Sequence, residues 1–232
     1  MKDFERKSPF EFNESYISQN VESELFDQFI LPWAQGMQGN SILDLGGGTG
    51  VEGNLLRSKS YDVYLADLSL TMLNASDIQK KIQADAELLP FTNQIFSGVI
   101  FKDVWIFLSP SQRSAVLSEM KRVLEKNGSI FLMSQYGSAT RIYYIPRNSK
   151  YPQKSTCNSF DEFVRSYEKL TNAGDQIISI EHRSTIEDTA ELAEQVGLSM
   201  VKSDEYAFDS KLAEQNRWIS RSGFMIELQK DS

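Results

Sequence analysis

The chain has 232 residues, enough for one large domain or for a domain with an appendage. Its formal net charge is −8, and an acidic surface repels phosphate backbones and anionic lipids, so neither nucleic acid nor a membrane is expected as a partner. A single cysteine, Cys157, excludes an internal disulfide, and the opening residues MKDFERKSPFEF carry no apolar leader, so we expect a cytoplasmic protein.

Apolar residues at helical spacing predict a helix over residues 15–31, in the run SYISQNVESELFDQFIL. Pro32, Gly36 and Gly39 follow this run and mark its end. We therefore expect residues 1–40 to form a helical cap segment that precedes the main domain, residues 41–232.

From residue 41 onward, strand and helix patterns alternate. Strands are predicted in SILDL, DVYLADLS, KIQADAE, SGVIFKDVW and SIFLMSQY, and helices in VEGNLLRS, LTMLNASDI and residues 109–128. Ser109 or Ser111 can cap the start of the last helix, and Gly128 suits a left-handed stop. This alternation is typical of an α/β fold with a parallel sheet and helices on both faces.

The alternation breaks at residues 137–178, which are too long for an ordinary connection and predict a lid-like insertion ending in a helix, FDEFVRSYEKLTNA. The strand-like run ISIEHRS follows, and then a helix in TIEDTAELAEQVG, where Thr185 and Asp188 resemble a capping box and Gly197 provides a stop. The runs LSMVKSDEYAF and SGFMIELQ close the chain as two strands, and because no helix separates them we expect an antiparallel pair.

Three consecutive glycines follow the first strand, with an acid just before them, in the run SILDLGGGTGVEG. Such a turn is where ligands bind in an open parallel sheet, and its glycines let backbone N–H groups come close. The spacing Gly48-x-Gly50-x-x-Gly53 fits a dinucleotide fingerprint, but it leaves Asp44 unexplained and puts Gly53 inside the helix. The spacing Asp44-x-Gly46-x-Gly48-x-Gly50 accounts for them all. A carboxylate there suits the cationic amino-acid end of S-adenosylmethionine and would repel a pyrophosphate.

Several segments resemble the ordered motifs of one family, the class I S-adenosylmethionine-dependent methyltransferases, especially its small-molecule group. ILDLGGGTG resembles the first motif, LADLS the second, ADAELLPF the third and FSGVIFKDVWIFL the fourth, and LEKNGSIFLMS resembles the segment that enters strand five. Together they cover about residues 41–135 in the order of the family. Four ordered motifs are far more specific than a lone glycine loop.

The resemblance implies a Rossmann-like α/β fold with a seven-stranded sheet of order 3-2-1-4-5-7-6, in which strand 7 is antiparallel. It also implies that Asp67 binds the ribose hydroxyls with Leu68 beside the adenine, and that Asp85 accepts from the adenine amino group while Ala86 supplies a backbone N–H. Strand four ends under the methionine arm. The predicted cofactor-binding residues are Asp44, Gly46, Gly47, Gly48, Asp67, Leu68, Met72, Asp85, Ala86, Lys102 and Asp103.

The sequence also departs from the family. Many members carry a His-His pair after strand four, whereas Ile106 and Phe107 stand there, so that pair has no catalytic role in this chain. An Asn/Asp-Pro-Pro-Tyr segment and a Pro-Cys dipeptide are both missing from the sequence, which argues against nucleobase amino methylation in that style and excludes the covalent cytosine mechanism.

Residues for the acceptor are harder to predict. His182, the only histidine, is a candidate general base, although an exposed or capping histidine is the alternative and a neutral amine acceptor needs only positioning. Several aromatic and basic side chains are predicted to line the substrate pocket. The alternative is that they pack in the core or lie on an amphipathic surface segment. These candidates are Tyr16, Trp33, Trp105, Arg141, Tyr143 and Tyr144.

The predicted function is transfer of a methyl group from S-adenosylmethionine to an oxygen, nitrogen or carbon of a small molecule, in specialised metabolism. No metal is expected, because one histidine and dispersed acids make no ligand cluster. The alternatives are an NAD-dependent oxidoreductase and a non-catalytic S-adenosylmethionine-binding protein, and a protein or RNA acceptor remains open within methyl transfer. The sequence leaves the acceptor and the oligomeric state undetermined.

Overall fold

The computed structural model describes residues 25–207 and 222–230. Most of the helix predicted over residues 15–31 lies outside this range, as does Tyr16. Its described end is a π-helical turn, Phe26–Ile30, which continues into the first of six α-helices. In chain order these are α1 (Leu31–Gly36), α2 (Val51–Ser58), α3 (Leu70–Asn74), α4 (Pro110–Val123), α5 (Phe160–Asn172) and α6 (Ile186–Gln195).

The described residues form ten strands. In chain order they are β1 (Ser41–Leu45), β2 (Asp62–Asp67), β3 (Lys81–Gln83), β4 (Phe96–Lys102), β5 (Leu124–Gln135), β6 (Thr140–Ile145), β7 (Gln153–Cys157), β8 (Gln176–His182), β9 (Leu198–Ala207) and β10 (Ser222–Lys230).

Seven strands make the central sheet, in the order β3-β2-β1-β4-β5-β10-β9. Strands β1 to β5 run parallel, and β10 is antiparallel to both β5 and β9. With the strands of this sheet counted along the chain, this is the predicted order 3-2-1-4-5-7-6 with its antiparallel seventh strand. The predicted fold class is therefore confirmed.

Two apolar layers cover the sheet, because the side chains of each strand alternate between its faces. Leu43 and Phe101 point into a core that includes apolar residues of α4 and α6. Ile42 and Ile100 point into the opposite core, with Leu56 of α2 and the described N-terminal helices. The described part of the predicted cap segment is thus packed on a face of the sheet, and the division at residue 40 stays a prediction.

One predicted helix end is wrong. Helix α4 begins as predicted, with a capping box in which Ser109 and Gln112 are the partners, but it ends at Val123 rather than near Gly128. The left-handed residue that follows is Asn127, inside β5, with φ +61°. Asparagine is one of the few side chains that tolerate this conformation, and β5 already pairs with β4 at Leu124. Helix α6 behaves as predicted, with its capping box and a left-handed Gly197.

The insertion, predicted over residues 137–178, extends to Ser184 in the structure and is an ordered unit with its own small core. Strands β7, β6 and β8 form a three-stranded antiparallel sheet in that order, and α5 packs against it. The run ISIEHRS belongs to this sheet and not to the central one. Cys157 is buried between the small sheet and α5, beside Ile142 and Leu170.

Candidate active site

The loop between β1 and α2 lies at the carboxyl end of the central strands. Gly46, Gly48 and Gly50 all have positive φ, at +70°, +57° and +79°. Side chains rarely adopt this conformation, so the shape of the loop requires glycine at these positions. A Cβ atom on Gly46 would also overlap the side chain of Val104, which follows β4. The loop is therefore packed tightly against the end of the neighbouring strand.

Asp44 lies directly beneath this loop and is 3% exposed. Its Oδ2 accepts a hydrogen bond of 3.1 Å from the backbone N–H of Gly53, and a Cβ atom on Gly47 would lie 2.5 Å from the same oxygen. Burial and, to a smaller extent, the nearby charge of Glu52 raise the pKa of Asp44 to about 8, against the opposing effects of the Gly53 hydrogen bond and of Lys102. A cation bound at the loop would stabilise the ionised form of this buried carboxyl group.

Lys102 links the end of β4 to the start of α2. Its Nζ lies 2.9 Å from Glu52 Oε1 and 3.1 Å from Asp103 Oδ2. Asp103 itself has a positive φ of +59°, an uncommon conformation that indicates a constrained turn. The sequence prediction included Lys102 and Asp103 but missed Glu52, whose signal was an acid in the first turn of the helix after the glycine loop.

Asp67 ends β2 and ties the second strand to the glycine loop. Its Oδ2 accepts from the Gly48 N–H at 2.8 Å, and its Oδ1 accepts from the Ser69 N–H at 2.7 Å. Each carboxylate oxygen has two lone pairs, so both retain capacity to accept a further donor such as a hydroxyl. Asp67 is therefore oriented by the backbone beside the loop.

Further predicted cofactor residues surround Asp67. Leu68 is 48% exposed, and a Cβ atom on Gly48 would lie 3.0 Å from the Met72 methyl group. The backbone N–H of Ala84 donates to the carbonyl of Asp67, which holds the end of β3 beside the end of β2. Asp85 is exposed at that end, where its Oδ1 accepts from the Glu87 N–H at 3.0 Å. Between them, Ala86 is half-buried and packs against the core.

Four backbone N–H groups of the loop and of the helix that follows it already have partners within the protein. The N–H of Gly46 donates to Ala66 O, that of Gly48 to Asp67, that of Gly50 to Gly47 O and that of Gly53 to Asp44. Dinucleotide sites depend on backbone N–H groups at this turn and at the helix N-terminus. These internal hydrogen bonds, together with the carboxyl group of Asp44, argue against the oxidoreductase alternative.

Two tryptophans of the predicted substrate pocket are buried in the cores. The indole N–H of Trp33 donates to Ser129 Oγ at 2.8 Å, and a Cβ on Gly98 would contact its ring. Gly98 lies near the amino end of β4 and pairs with Ser129 in β5, away from the carboxyl edge, so this position does not support a role in substrate binding. Trp105 follows β4 and is fully buried, with its indole N–H donating to Ser184 Oγ at 2.9 Å.

The small sheet of the insertion joins the central sheet at the carboxyl end of β5. The N–H of Gly137 donates to Ser184 O, and Arg183 donates to the carbonyl of Tyr136 and to Gln135 Oε1. Arg113 of α4 donates to the carbonyl of His182. The insertion is thus attached on the side of the sheet where the glycine loop lies.

Residues of the small sheet divide between two faces. Arg141 lies opposite Glu181 and Tyr143 lies opposite Ser179, so these four side chains share the face that faces away from α5. Thr140 lies opposite His182 on the other face, where the imidazole Nδ1 is 3.1 Å from Thr140 Oγ1 and the ring meets Phe163 edge-on.

His182 therefore lies on the α5 side of the small sheet, and this position does not support the predicted role of a general base. Tyr144 lies on the same side, in the small core of the insertion. Arg141 and Tyr143 share the opposite face with two residues that the sequence prediction missed, Glu181 and Arg183. Strand alternation around His182 was the signal that could have found them.

Neither a membrane span nor a metal site is found in the described part of the chain. No helix within residues 25–207 and 222–230 is both long and apolar enough to cross a bilayer. In the same ranges, no group of three or more histidine, cysteine, aspartate or glutamate side chains could hold a metal ion.

Comparison with solved structures finds proteins that share this fold. The PH0226 protein of Pyrococcus horikoshii OT3 is 15% identical, with a TM-score of 0.62 and 100% of both chains covered. An S-adenosylmethionine-dependent methyltransferase of Methanosarcina mazei is 15% identical with a TM-score of 0.62, over 88% of this chain and 98% of its own. The 1,6-didemethyltoxoflavin-N1-methyltransferase of Burkholderia thailandensis, with 1,6-didemethyltoxoflavin and S-adenosylhomocysteine bound, is 11% identical with a TM-score of 0.58, over 92% and 78%.

At these identities the solved structures establish a shared fold. A comparison with curated proteins finds no match to this sequence. In the sequence itself, residues 43–132 match the family model described as a methyltransferase domain. That range contains the glycine loop, Asp67 and Asp85. The match supports a class I S-adenosylmethionine-dependent methyltransferase with S-adenosylmethionine as its cofactor.

Proposed function

We propose that this enzyme methylates a small molecule, which enters between the carboxyl edge of the central sheet and the small sheet of the insertion. The observation that carries the proposal is the polar face of the insertion. Arg183 and Glu181 on that face are each only 12% exposed, although they belong to an insertion attached at the edge of the fold. A half-buried polar face suits a small acceptor that becomes enclosed, whereas a macromolecule needs an open surface.

The residues around the glycine loop fit the cofactor. The left-handed glycines leave a loop without side chains beside Asp44, and Asp67 is held by two backbone N–H groups with lone pairs to spare. We propose that Asp67 accepts from the ribose hydroxyls, that Leu68, Met72, Asp85 and Ala86 surround the adenine, and that Asp44, Lys102 and Asp103 lie near the amino-acid end. Bound S-adenosylmethionine supplies a methyl group made electrophilic by the sulfonium.

The contribution of the chain is then orientation and exclusion of water. Holding the acceptor atom in line with the methyl group removes much of the entropic barrier, and this requires no general base when the acceptor is a neutral amine. A base at His182 stays a prediction without support from its position. A role in specialised metabolism and a cytoplasmic location likewise stay predictions, as does the choice among oxygen, nitrogen and carbon.

The first test is a set of parallel calorimetric titrations of the purified protein with S-adenosylmethionine, S-adenosylhomocysteine and NAD. We expect binding of the first two and none of NAD. Binding of NAD alone would contradict the assignment of the glycine loop.

The second test identifies the class of acceptor. The enzyme is incubated with methyl-labelled S-adenosylmethionine and, in separate reactions, with an ultrafiltered metabolite extract, with total RNA and with a protein fraction. We expect label in the metabolite extract. Label in RNA or protein alone would overturn the small-molecule proposal while leaving methyl transfer intact.

A further inference from the structure

Two arginines of the insertion lie on one face of the small sheet with a single carboxylate between them. Arg141 of β6 lies opposite Glu181 of β8, and Arg183 follows two residues after Glu181, on the same face. Tyr143 completes the group, because its hydroxyl lies 3.3 Å from Glu181 Oε2. We call these four residues the arginine cluster.

The charges of the arginine cluster are not balanced within the described residues. Glu181 Oε2 lies 4.0 Å from Arg183 Nη2, and both side chains are 12% exposed. Two guanidinium groups and one carboxylate leave one positive charge in surplus, in a chain whose formal net charge is −8. Lys154 also acts on Glu181, but it is exposed and therefore screened by solvent. A half-buried surplus charge is costly unless a counter-ion is supplied.

The two guanidinium groups also retain unused donors. Arg141 Nε and Arg183 Nε are both buried, and neither has a hydrogen-bond partner within the described residues. The terminal nitrogens of Arg183 donate to Tyr136 O and to Gln135 Oε1, so this side chain is fixed at the end of β5. That anchoring accounts for one edge of the guanidinium group of Arg183. That anchoring does not explain why a second arginine, Arg141, lies close to this group. Burial lowers the pKa of Arg183, and repulsion from Arg141 lowers it further.

We infer that the methyl acceptor carries a carboxylate group, which binds between Arg141 and Arg183. This inference rests on the proposed function, and it names the chemical class of the acceptor. One negative charge neutralises the surplus of the arginine cluster, and carboxylate oxygens match the N–H geometry of arginine. A phosphate dianion would carry one negative charge more than this surplus.

The test observes the guanidinium groups directly and does not depend on turnover. The full chain, labelled with nitrogen-15 in arginine and saturated with S-adenosylhomocysteine, is titrated with benzoate while the Nε–Hε resonances are recorded. Arg141→Gln and Arg183→Gln assign the two signals. We expect both signals to shift saturably with benzoate and to stay in place with benzamide, which has nearly the same shape without the charge.

A matched pair of variants tests affinity. Arg141→Gln is expected to weaken benzoate binding about tenfold or more, because truncation of one partner of a half-buried charge pair is costly. Arg57→Gln, at an exposed site on α2, is expected to leave it unchanged. Arg141 is the better site for substitution, since loss of Arg183 would also remove the contacts with Gln135 and Tyr136.

The outcomes separate this inference from the proposed function. Equal shifts with benzoate and benzamide, or shifts with inorganic phosphate only, would overturn the carboxylate assignment. So would acceptors in the metabolite extract that are all neutral or cationic, although the small-molecule proposal would then survive. Transfer of label to RNA or protein alone would remove the proposed function, whereas selective benzoate shifts would still support an anion site at the arginine cluster.

Discussion

The indole N–H of Trp105 donates to Ser184 Oγ across 79 positions of sequence, and both side chains are buried. Trp105 follows β4, at the edge proposed to bind the cofactor, and Ser184 follows the last strand of the insertion. Arg113 covers the indole ring at 5.0 Å and donates to the carbonyls of Trp105 and His182. This buried contact fixes the insertion to the central sheet beside the glycine loop.

Replacement of Trp105 by phenylalanine should weaken this attachment. Trp105→Phe keeps an aromatic ring next to Phe101 but removes the N–H donor and leaves a small cavity. We expect the free energy of unfolding to fall by about 1–3 kcal/mol, measured by urea denaturation. Ser184 keeps its contact with Thr189, which limits the loss. Tyr151→Phe, at an exposed site, is the control, and equal stability of the two variants would contradict the anchoring role of Trp105.

Asp67 should be essential for binding of the cofactor. Asp67→Ala removes the proposed ribose acceptor and also the bonds to the N–H groups of Gly48 and Ser69 that shape the loop. We expect the affinity for S-adenosylhomocysteine, measured by calorimetry, to fall about a hundredfold, because hydrogen bonds to a charged group contribute about 1.5–3 kcal/mol each. Asp62→Asn, at the exposed start of the same strand, is the matched control. Unchanged affinity in Asp67→Ala would refute the ribose assignment.

The sequence predicted the features that depend on local residue patterns. It did not predict the features that depend on pairing between strands. The glycine loop, Asp67 and the parallel strands could be predicted because spacing and burial act within a few residues. Which face of the small sheet each side chain occupies depends on the register of β6 with β8, which the sequence does not contain. Strand alternation puts His182 and Arg183 on opposite faces, but the pairing of β6 with β8 is needed to show which of the two faces carries Arg141.

Trp33 illustrates the same limit. An aromatic residue in a segment predicted to cap the pocket suggested contact with substrate, but packing against Phe131 and the bond to Ser129 hold the indole in the core. Neither partner is near Trp33 in sequence. The predicted end of α4 at Gly128 was wrong for a different reason. The chain already pairs with β4 at Leu124, and Asn127 takes the left-handed conformation that was predicted for glycine.

Replacement of Gly47 by alanine should lower the free energy of unfolding more than the backbone conformation of Gly47 suggests. Its φ is not positive, so Gly47→Ala carries no left-handed strain, but the new Cβ atom would overlap the Asp44 carboxyl group. That carboxyl group is held by the Gly53 N–H and has little room to move. We expect a loss of about 1–3 kcal/mol in unfolding free energy, the usual cost of overpacking.

Gly36→Ala provides the comparison for Gly47→Ala. A Cβ atom at Gly36, the last residue of α1, meets nothing within 4 Å. Alanine is favoured over glycine in helices, so this variant should be neutral or slightly more stable in the same urea titration. Equal losses in both variants would show that steric contact with Asp44 is not the cause.

The buried carboxyl group of Asp44 should make stability depend on pH. Burial raises its pKa from 3.8 to about 8, so between these values the folded chain holds a proton that the unfolded chain has released. Unfolding then releases a proton, and stability falls as pH rises, by at most about 1.4 kcal/mol per pH unit. Below pH 3.8 both states are protonated, and above pH 8 both are ionised, so the dependence vanishes outside this window.

Asp44→Asn removes this titration while it keeps an oxygen that can accept from Gly53. The variant should therefore gain stability relative to the parent as pH rises from about 5 to 8, and the difference should level off above pH 8. All other titrating groups are shared by the two proteins and cancel in the difference of the two urea titrations. The same variant should bind S-adenosylmethionine more weakly at pH 8, because it lacks the negative charge proposed for the amino-acid end. Parallel pH profiles for the two proteins would mean that Asp44 is already ionised in the folded chain at pH 5.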